Sequence, residues 1–355
     1  MDSHDDAFDP TAVLRAYLTE DGTCMSDIVD TLRARYVSSA RDDLIGEQIE
    51  RLIRNAAARK DPRKPHSAGN RKAGVGFAVI GESGAGKSTA LERAFANHPA
   101  FPGYGIAGSG CPLISVQAPS PSTLGQLAMS INDVLGYGTQ SVLQENQAWR
   151  RARFQLEANR KMFVHIGDAQ HVMHTLAEHE KKKFADTLKN LMIDPKWPVQ
   201  LILDGIPDLV PFLQMDRQIK RRLRYVHCEN VSAEKNAEFI ESTIRDYAEK
   251  AGLKLAVSGD DMLTGRLVHA ACNQMGLVIE ILVDAIEVSL TEKRDTLSID
   301  DFADAYTDRT LDSPGLNPFL VRAWETIDCS VIQKKIELPA EASHQKPTTR
   351  GRHKK

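Results

Sequence analysis

Residues 81–88 read Gly-Glu-Ser-Gly-Ala-Gly-Lys-Ser and satisfy G-x-x-x-x-G-K-[ST] at every fixed position. An apolar run, 75–80, precedes them, and a helix-compatible stretch, 88–97, follows. Strand, glycine loop and helix in that order constrain the chain to a nucleotide-binding α/β fold. Glycines let the backbone wrap a phosphate with its N–H groups pointing inward. The helix that follows turns its positive end toward the same anion. Glu82, Ser83, Gly84, Ala85, Gly86, Lys87, Ser88 and Thr89 are therefore the candidate cofactor-binding residues, for ATP. Lys87 supplies a point charge to the terminal phosphates, and Ser88 is a candidate Mg²⁺ ligand.

A chain of 355 residues accommodates one large α/β domain and a smaller one. The net charge of −3 argues against a wholly basic nucleic-acid coat, though not against a local basic surface. The five cysteines, at 24, 111, 228, 272 and 329, have no short spacing. They read as reduced thiols of a cytoplasmic protein, not as a disulfide or zinc framework. The acidic N-terminus has no apolar core and is not a signal peptide. The longest apolar run, 276–290, is broken by Glu280, Asp284 and Glu287, so no membrane span is expected.

Before the loop, 11–20 and 27–36 are candidate short helices. Residues 41–60 form a better one, with Leu44, Ile45, Ile49, Leu52 and Ile53 on one stripe. Residues 61–72, DPRKPHSAGNRK, read as a solvated basic loop, either a linker or a phosphate-backbone contact. Further strands are expected at 112–118, 162–166, 199–203 and 224–228, alternating with helices at 122–135, 141–160 and 171–192. That alternation implies a parallel sheet with helices on both faces. From 232 onward only helices are expected, with Ser258/Asp261 and Ser298/Asp301 as capping boxes. Beyond Pro314 periodicity fades, and the end is a basic tail. His165, His171, His174 and His179 invite a metal reading, but no cysteine or Glu-x-x-His arrangement completes a site.

A parallel-sheet nucleotide domain with a helical lid resembles the layout of AAA+ ATPases. Residues 167–172, Gly-Asp-Ala-Gln-His-Val, resemble the D-E-A-Q-H-L run at the metal-binding strand of transposition and secretion members. LILDGIPDL at 201–209 resembles their sensor-one strand, and QIKRRL at 218–223 resembles the segment carrying the arginine finger. The pair Tyr36–Val37, the basic loop and the F-x-x-H-P of Phe95, His98 and Pro99 add to a resemblance to the TniB/TnsC (MuB-like) transposition regulators over roughly 30–310.

The resemblance implies a five-stranded AAA+ P-loop NTPase with a small C-terminal helical lid, cofactors ATP and Mg²⁺, and homo-oligomers, as rings or helical filaments, on double-stranded target DNA. It also implies a transposase and target-selection proteins as partners. The expected organisation is an N-terminal extension over 1–40, a nucleotide domain over 41–230, a lid over 231–310 and a tail over 311–355. Arg222, with Arg221 as alternate, takes the finger role, and Asp168 the catalytic and metal-binding one. Gly167 stands where the metal aspartate is expected, or Ala169 where the base is, depending on register. Either way one carboxylate remains where two are expected, and Ile206 and the lid's Gly276-Leu277-Val278-Ile279 lack the usual sensor residues. Slow hydrolysis follows. Candidate DNA contacts are 63–72, 150–153 and 350–355. The rival readings are another AAA+ machine, for secretion or replication loading, and a nucleotide-gated scaffold.

Overall fold

Five short apolar segments are too greasy to face water on either side, and they assemble into one parallel sheet. In this computed structural model, residues 10–332 are described except 121–122, 139–142, 172–177, 258 and 312. The strands are β1 (Gly76–Ile80), β2 (Leu113–Gln117), β3 (Phe163–Gly167), β4 (Gln200–Gly205) and β5 (Leu223–His227), in the order β2-β3-β4-β1-β5. β1, β3 and β4 are buried at every position, whereas the edge strands β2 and β5 carry exposed residues. From β1 the chain passes over β4 and β3 to form β2. Strand order thus reverses beside β1, and the carboxyl ends of β1 and β4 open a crevice there.

Helices cover both faces. On one, α3 (Ala40–Ala57) and α4 (Lys87–Asn97) pack Ile45, Ile49, Leu52, Leu91 and Phe95 against Phe77, Val79 and Ile202. On the other lie α5 (Leu124–Val134), α6 (Glu145–Ala158), α7 (Glu178–Ile193), α8 (Leu209–Met215) and α9 (Arg217–Arg222). α5 is capped by a box of Thr123 and Gln126, within the start of the helix expected over 122–135. Phe95 is fully buried, its ring edge-on to Phe101 at 6.1 Å and to His165 at 5.3 Å. Phe95→Ala should therefore cost about 3–5 kcal/mol in urea unfolding.

The lid is α10 (Ala233–Lys250), α11 (Leu263–Ala270), α12 (Met275–Thr291) and α13 (Ile299–Thr310), with a two-residue parallel pair, β6 (Lys254–Leu255) and β7 (Thr296–Leu297). The Ser298–Asp301 capping box forms as expected, while Ser258 of the other lies outside the described residues. α11 instead follows Met262, whose φ is 51°. Two segments outside the expected lid join its core. α2 (Glu20–Arg33), which follows the short α1 (Pro10–Arg15), contributes Val29 and Leu32 and pairs Arg33 with Glu287 at 2.8 Å. Past Pro314, a turn and a 3₁₀ segment bury Phe319 and Cys329, respectively, against the same core. No helix among the described residues is long and apolar enough to cross a membrane.

Candidate nucleotide site

The glycine loop leaves β1 at its carboxyl end, in the crevice. Gly84 and Gly86 have φ of 79° and 78°, a conformation that strains L side chains and brings successive N–H groups to one side. α4 begins at Lys87 with Gly86 as its cap and no side-chain cap bond, so its first N–H groups await an acceptor. Lys87 is 8% exposed, and its ammonium donates to the carbonyls of Gly81 and Glu82, both at 2.9 Å. Among the described residues it has no carboxylate partner. A buried ammonium beside an uncapped helix start fits a polyphosphate.

Three parts of the chain close a cleft of about 460 Å³ around this loop. Loop residues Ser83 to Thr89 form its floor, with Asp168. Tyr36, Val37 and Arg41 line one wall; Met275, Gly276 and Ile279 of α12 line another. The lid touches the loop directly: Leu277 N donates to Gly84 O at 3.2 Å. A Cβ on Gly276 would fall 2.3 Å from Gly84 O, and one on Gly84 would fall 2.4 Å from Leu277 Cγ. The two glycines allow this approach, so lid and loop are in contact without an arginine from the lid.

Arg41 opens α3 and donates to Ala85 O at 2.6 Å. Burial works against its charge, yet Cys228 and Tyr36 beside it outweigh that and hold its pKa above the ordinary arginine value. Burial, and then the hydrogen bond to Asp42 at 2.5 Å, push the Tyr36 phenol up to about 12, so it remains a donor at neutral pH. Neither Arg41 nor Gly276 carries a local motif for this role. Tyr36–Val37 counted in the sequence only toward the family resemblance and did not point to this wall of the cleft.

Of the expected site residues, the structure brings Ser83 to Thr89 and Asp168 together; Glu82 adjoins them through its carbonyl's bond to Lys87. Asp168 has φ of 49°, a left-handed backbone that costs about 1–2 kcal/mol outside glycine. Gln170 donates to its Oδ1 at 3.0 Å. Gly167 has no room for a side chain: a Cβ there would lie 2.2 Å from Gln117 Oε1. A carboxamide from β2 occupies that space.

Arg222 and Arg221 are elsewhere. Arg222 donates to Gly74 O at 3.2 Å, at the amino end of β1, and Arg221 is exposed. β1 alone, five residues long, separates them from the glycine loop by roughly 16 Å. Near that end the basic loop is ordered, not merely solvated. Buried Asn70 donates to the carbonyls of Asp61, Lys64 and Pro65 and accepts from Asp61 N. Arg71 lies over Trp197, 4.3 Å from the ring centre. Arg150 and Arg153 are exposed on α6 beside Phe154, and 350–355 lie outside the described residues. His174 is also outside them, and among the described residues no three of His, Cys, Asp or Glu gather as a metal site.

Comparison with known proteins bears on this arrangement. Residues 64–233, the loop and all five strands, match the family model of the bacterial TniB protein. Over that stretch, slightly less than half of its length, the chain is similar to TniB, and it has the AAA+ fold. Similar solved structures are the Aeropyrum pernix ORC1 protein in complex with DNA (12% identity over 76% of this chain and 65% of that one, TM-score 0.52) and Cdc6p from Pyrobaculum aerophilum (14%, 78% and 69%, TM-score 0.53). A third is the Aeropyrum pernix ORC2 protein in ADPNP and ADP complexes (15%, 80% and 72%, TM-score 0.50). The chain thus spans slightly less than two thirds of the ORC1 structure, and these likenesses concern the fold. No curated protein matches the sequence.

Proposed function

We propose that this chain is an ATP-dependent, DNA-binding AAA+ regulator of DNA transposition. In this reading it assembles on target duplex in the cytoplasm and presents that duplex to a transposase. The TniB match over 64–233 supports the pathway. The observation that carries the nucleotide switch is the bond from Leu277 N to Gly84 O, which ties the lid to the phosphate loop. A nucleotide in this cleft touches loop, amino-terminal wall and lid at once, so its arrival and loss change how they pack.

Lys87 and the first N–H groups of α4 hold the phosphates, and Ser88 and Asp168 hold Mg²⁺. Bound Mg²⁺ neutralises charge on the phosphate oxygens. Arg222, or Arg221, reaches the neighbouring protomer's nucleotide, because its own lies a strand's length away. Arg222→Ala should leave monomer affinity for an ATP analogue within about threefold while reducing nucleotide-dependent assembly at least tenfold by light scattering. Normal assembly of that variant ends the assignment.

Duplex contacts go to phosphates from the ordered 63–72 loop and from Arg150 and Arg153, so binding tolerates sequence and weakens with salt. Fluorescence anisotropy of a duplex, with and without ADPNP, tests this. Tight binding only with nucleotide, falling steeply between 50 and 200 mM salt as such contacts require, is expected. Nucleotide-independent or absent binding contradicts it. One observation favours a weak enzyme or pure scaffold: the carboxamide of Gln117 at Gly167. Phosphate release separates the two: slow release marks a weak enzyme, and none marks a pure scaffold.

A further inference from the structure

The β3–β4 ladder ends at Ile166 and Leu203, and β3 then turns sharply through Gly167 into the left-handed Asp168. Ala118 N donates to Gly167 O at 2.9 Å and Gln170 to Asp168 Oδ1 at 3.0 Å, and the remaining bonds that hold the turn to the sheet come from one residue of β4. Asp204 accepts from Asp168 N through Oδ1 at 3.2 Å, and its backbone carbonyl accepts from Ala169 N at 2.9 Å. Its other oxygen, Oδ2, meets His165 Nε2 at 2.8 Å. His165 Nδ1 in turn meets Ser115 Oγ at 3.1 Å, and Ser115 Oγ meets Tyr104 OH at 2.7 Å. Asp204 is 0% exposed and His165 1%.

We propose that Asp204, locked by His165, is the second carboxylate of the nucleotide site and acts as a positioning residue for Asp168. The proposal rests on the reading of Asp168 as the carboxylate that faces Mg²⁺. A buried aspartate–histidine pair is a poor way to stabilise a strand, since apolar residues of similar volume do as well. Its geometry says what it is suited to: one carboxylate oxygen goes to the histidine and the other to the backbone N–H of Asp168, which lines the cleft. Gly167, the position beside it, has no room for an acid. The carboxylate missing from β3 is supplied one strand over, where it sets the direction of Asp168. His165 also packs against Phe95 of α4, so the chain of bonds joins the metal-facing turn to the phosphate-binding helix.

The test compares binding of a fluorescent ATP analogue in EDTA and in Mg²⁺, for the full chain and for Asp204→Asn and Asp168→Asn. With Asp204→Asn, binding in EDTA is expected within twofold of the parent, while the gain in affinity on adding Mg²⁺ drops at least fivefold. The double variant should lose no more than Asp168→Asn alone, because both act through one carboxylate. A full Mg²⁺ gain in Asp204→Asn alongside a lost gain in Asp168→Asn overturns the proposal and leaves the reading of Asp168 standing. A full gain in both overturns that reading as well. If Asp204→Asn does not fold, Asp204→Ser, smaller and still able to bond His165, is judged by the same criteria.

Discussion

Lys87→Ala is expected to weaken binding of ATP by at least about a hundredfold, and with it to remove nucleotide-dependent retention of duplex. The ammonium is buried, and in the structure it rests on the carbonyls of Gly81 and Glu82. Turned to phosphate, each charge-assisted hydrogen bond contributes about 1.5–3 kcal/mol, and two such bonds span about two decades or more of affinity. The loop should keep its shape, because Gly84 and Gly86 set its backbone and Arg41 and Leu277 brace it from both sides. Calorimetric titration with ADPNP and Mg²⁺ reads the effect. Affinity within threefold of the parent removes Lys87 from the phosphate site.

Gly276→Val should produce the second largest loss, and by a different route. Its new Cβ would lie 2.3 Å from Gly84 O and 3.3 Å from Gly86 N. Both atoms are backbone, so no side chain can swing aside. Overpacking of this kind costs about 1–3 kcal/mol, which is roughly a tenfold to hundredfold loss of affinity when the bound state needs the lid docked. The lid core is spared, since it is built from residues such as Tyr247, Leu282 and Phe302. The melting temperature should therefore move little while nucleotide affinity falls. Gly46→Ala is the matched control, because a Cβ on Gly46 meets nothing within 4 Å. Equal affinity in Gly276→Val and the control would show that lid contact does not matter to binding.

These two positions also mark what the sequence discloses and what it conceals. Lys87 was legible because its partners lie within six residues of it, in a loop whose glycines announce the backbone geometry. The parallel sheet was legible for a similar reason, as each strand is a short apolar run followed by a helix long enough to cross over. Gly276 was not legible. Its contact is with Gly84, nearly two hundred residues earlier, and depends on how the lid docks. The sequence shows only that an arginine is absent there, not that close backbone packing takes its place. Asp204 was concealed in the same way. LILDGIPDL resembled a sensor strand, and His165 looked like a histidine within a strand; only the register of β3 on β4 makes them partners. The basic loop misled in the other direction. Its prolines and charges read as solvated chain, whereas Asn70 staples it through four hydrogen bonds. A single buried asparagine among polar residues gives no periodic signal.

The central claim is that nucleotide held by this loop joins one protomer to the next on duplex. Sedimentation velocity of the purified chain, run with duplex alone, with ADPNP and Mg²⁺ alone, and with all three together, tests it most directly. The account predicts large assemblies when duplex and nucleotide are both present, and their loss in Lys87→Ala. A chain that sediments as a single protomer under all three conditions, or that assembles equally well without nucleotide, contradicts it.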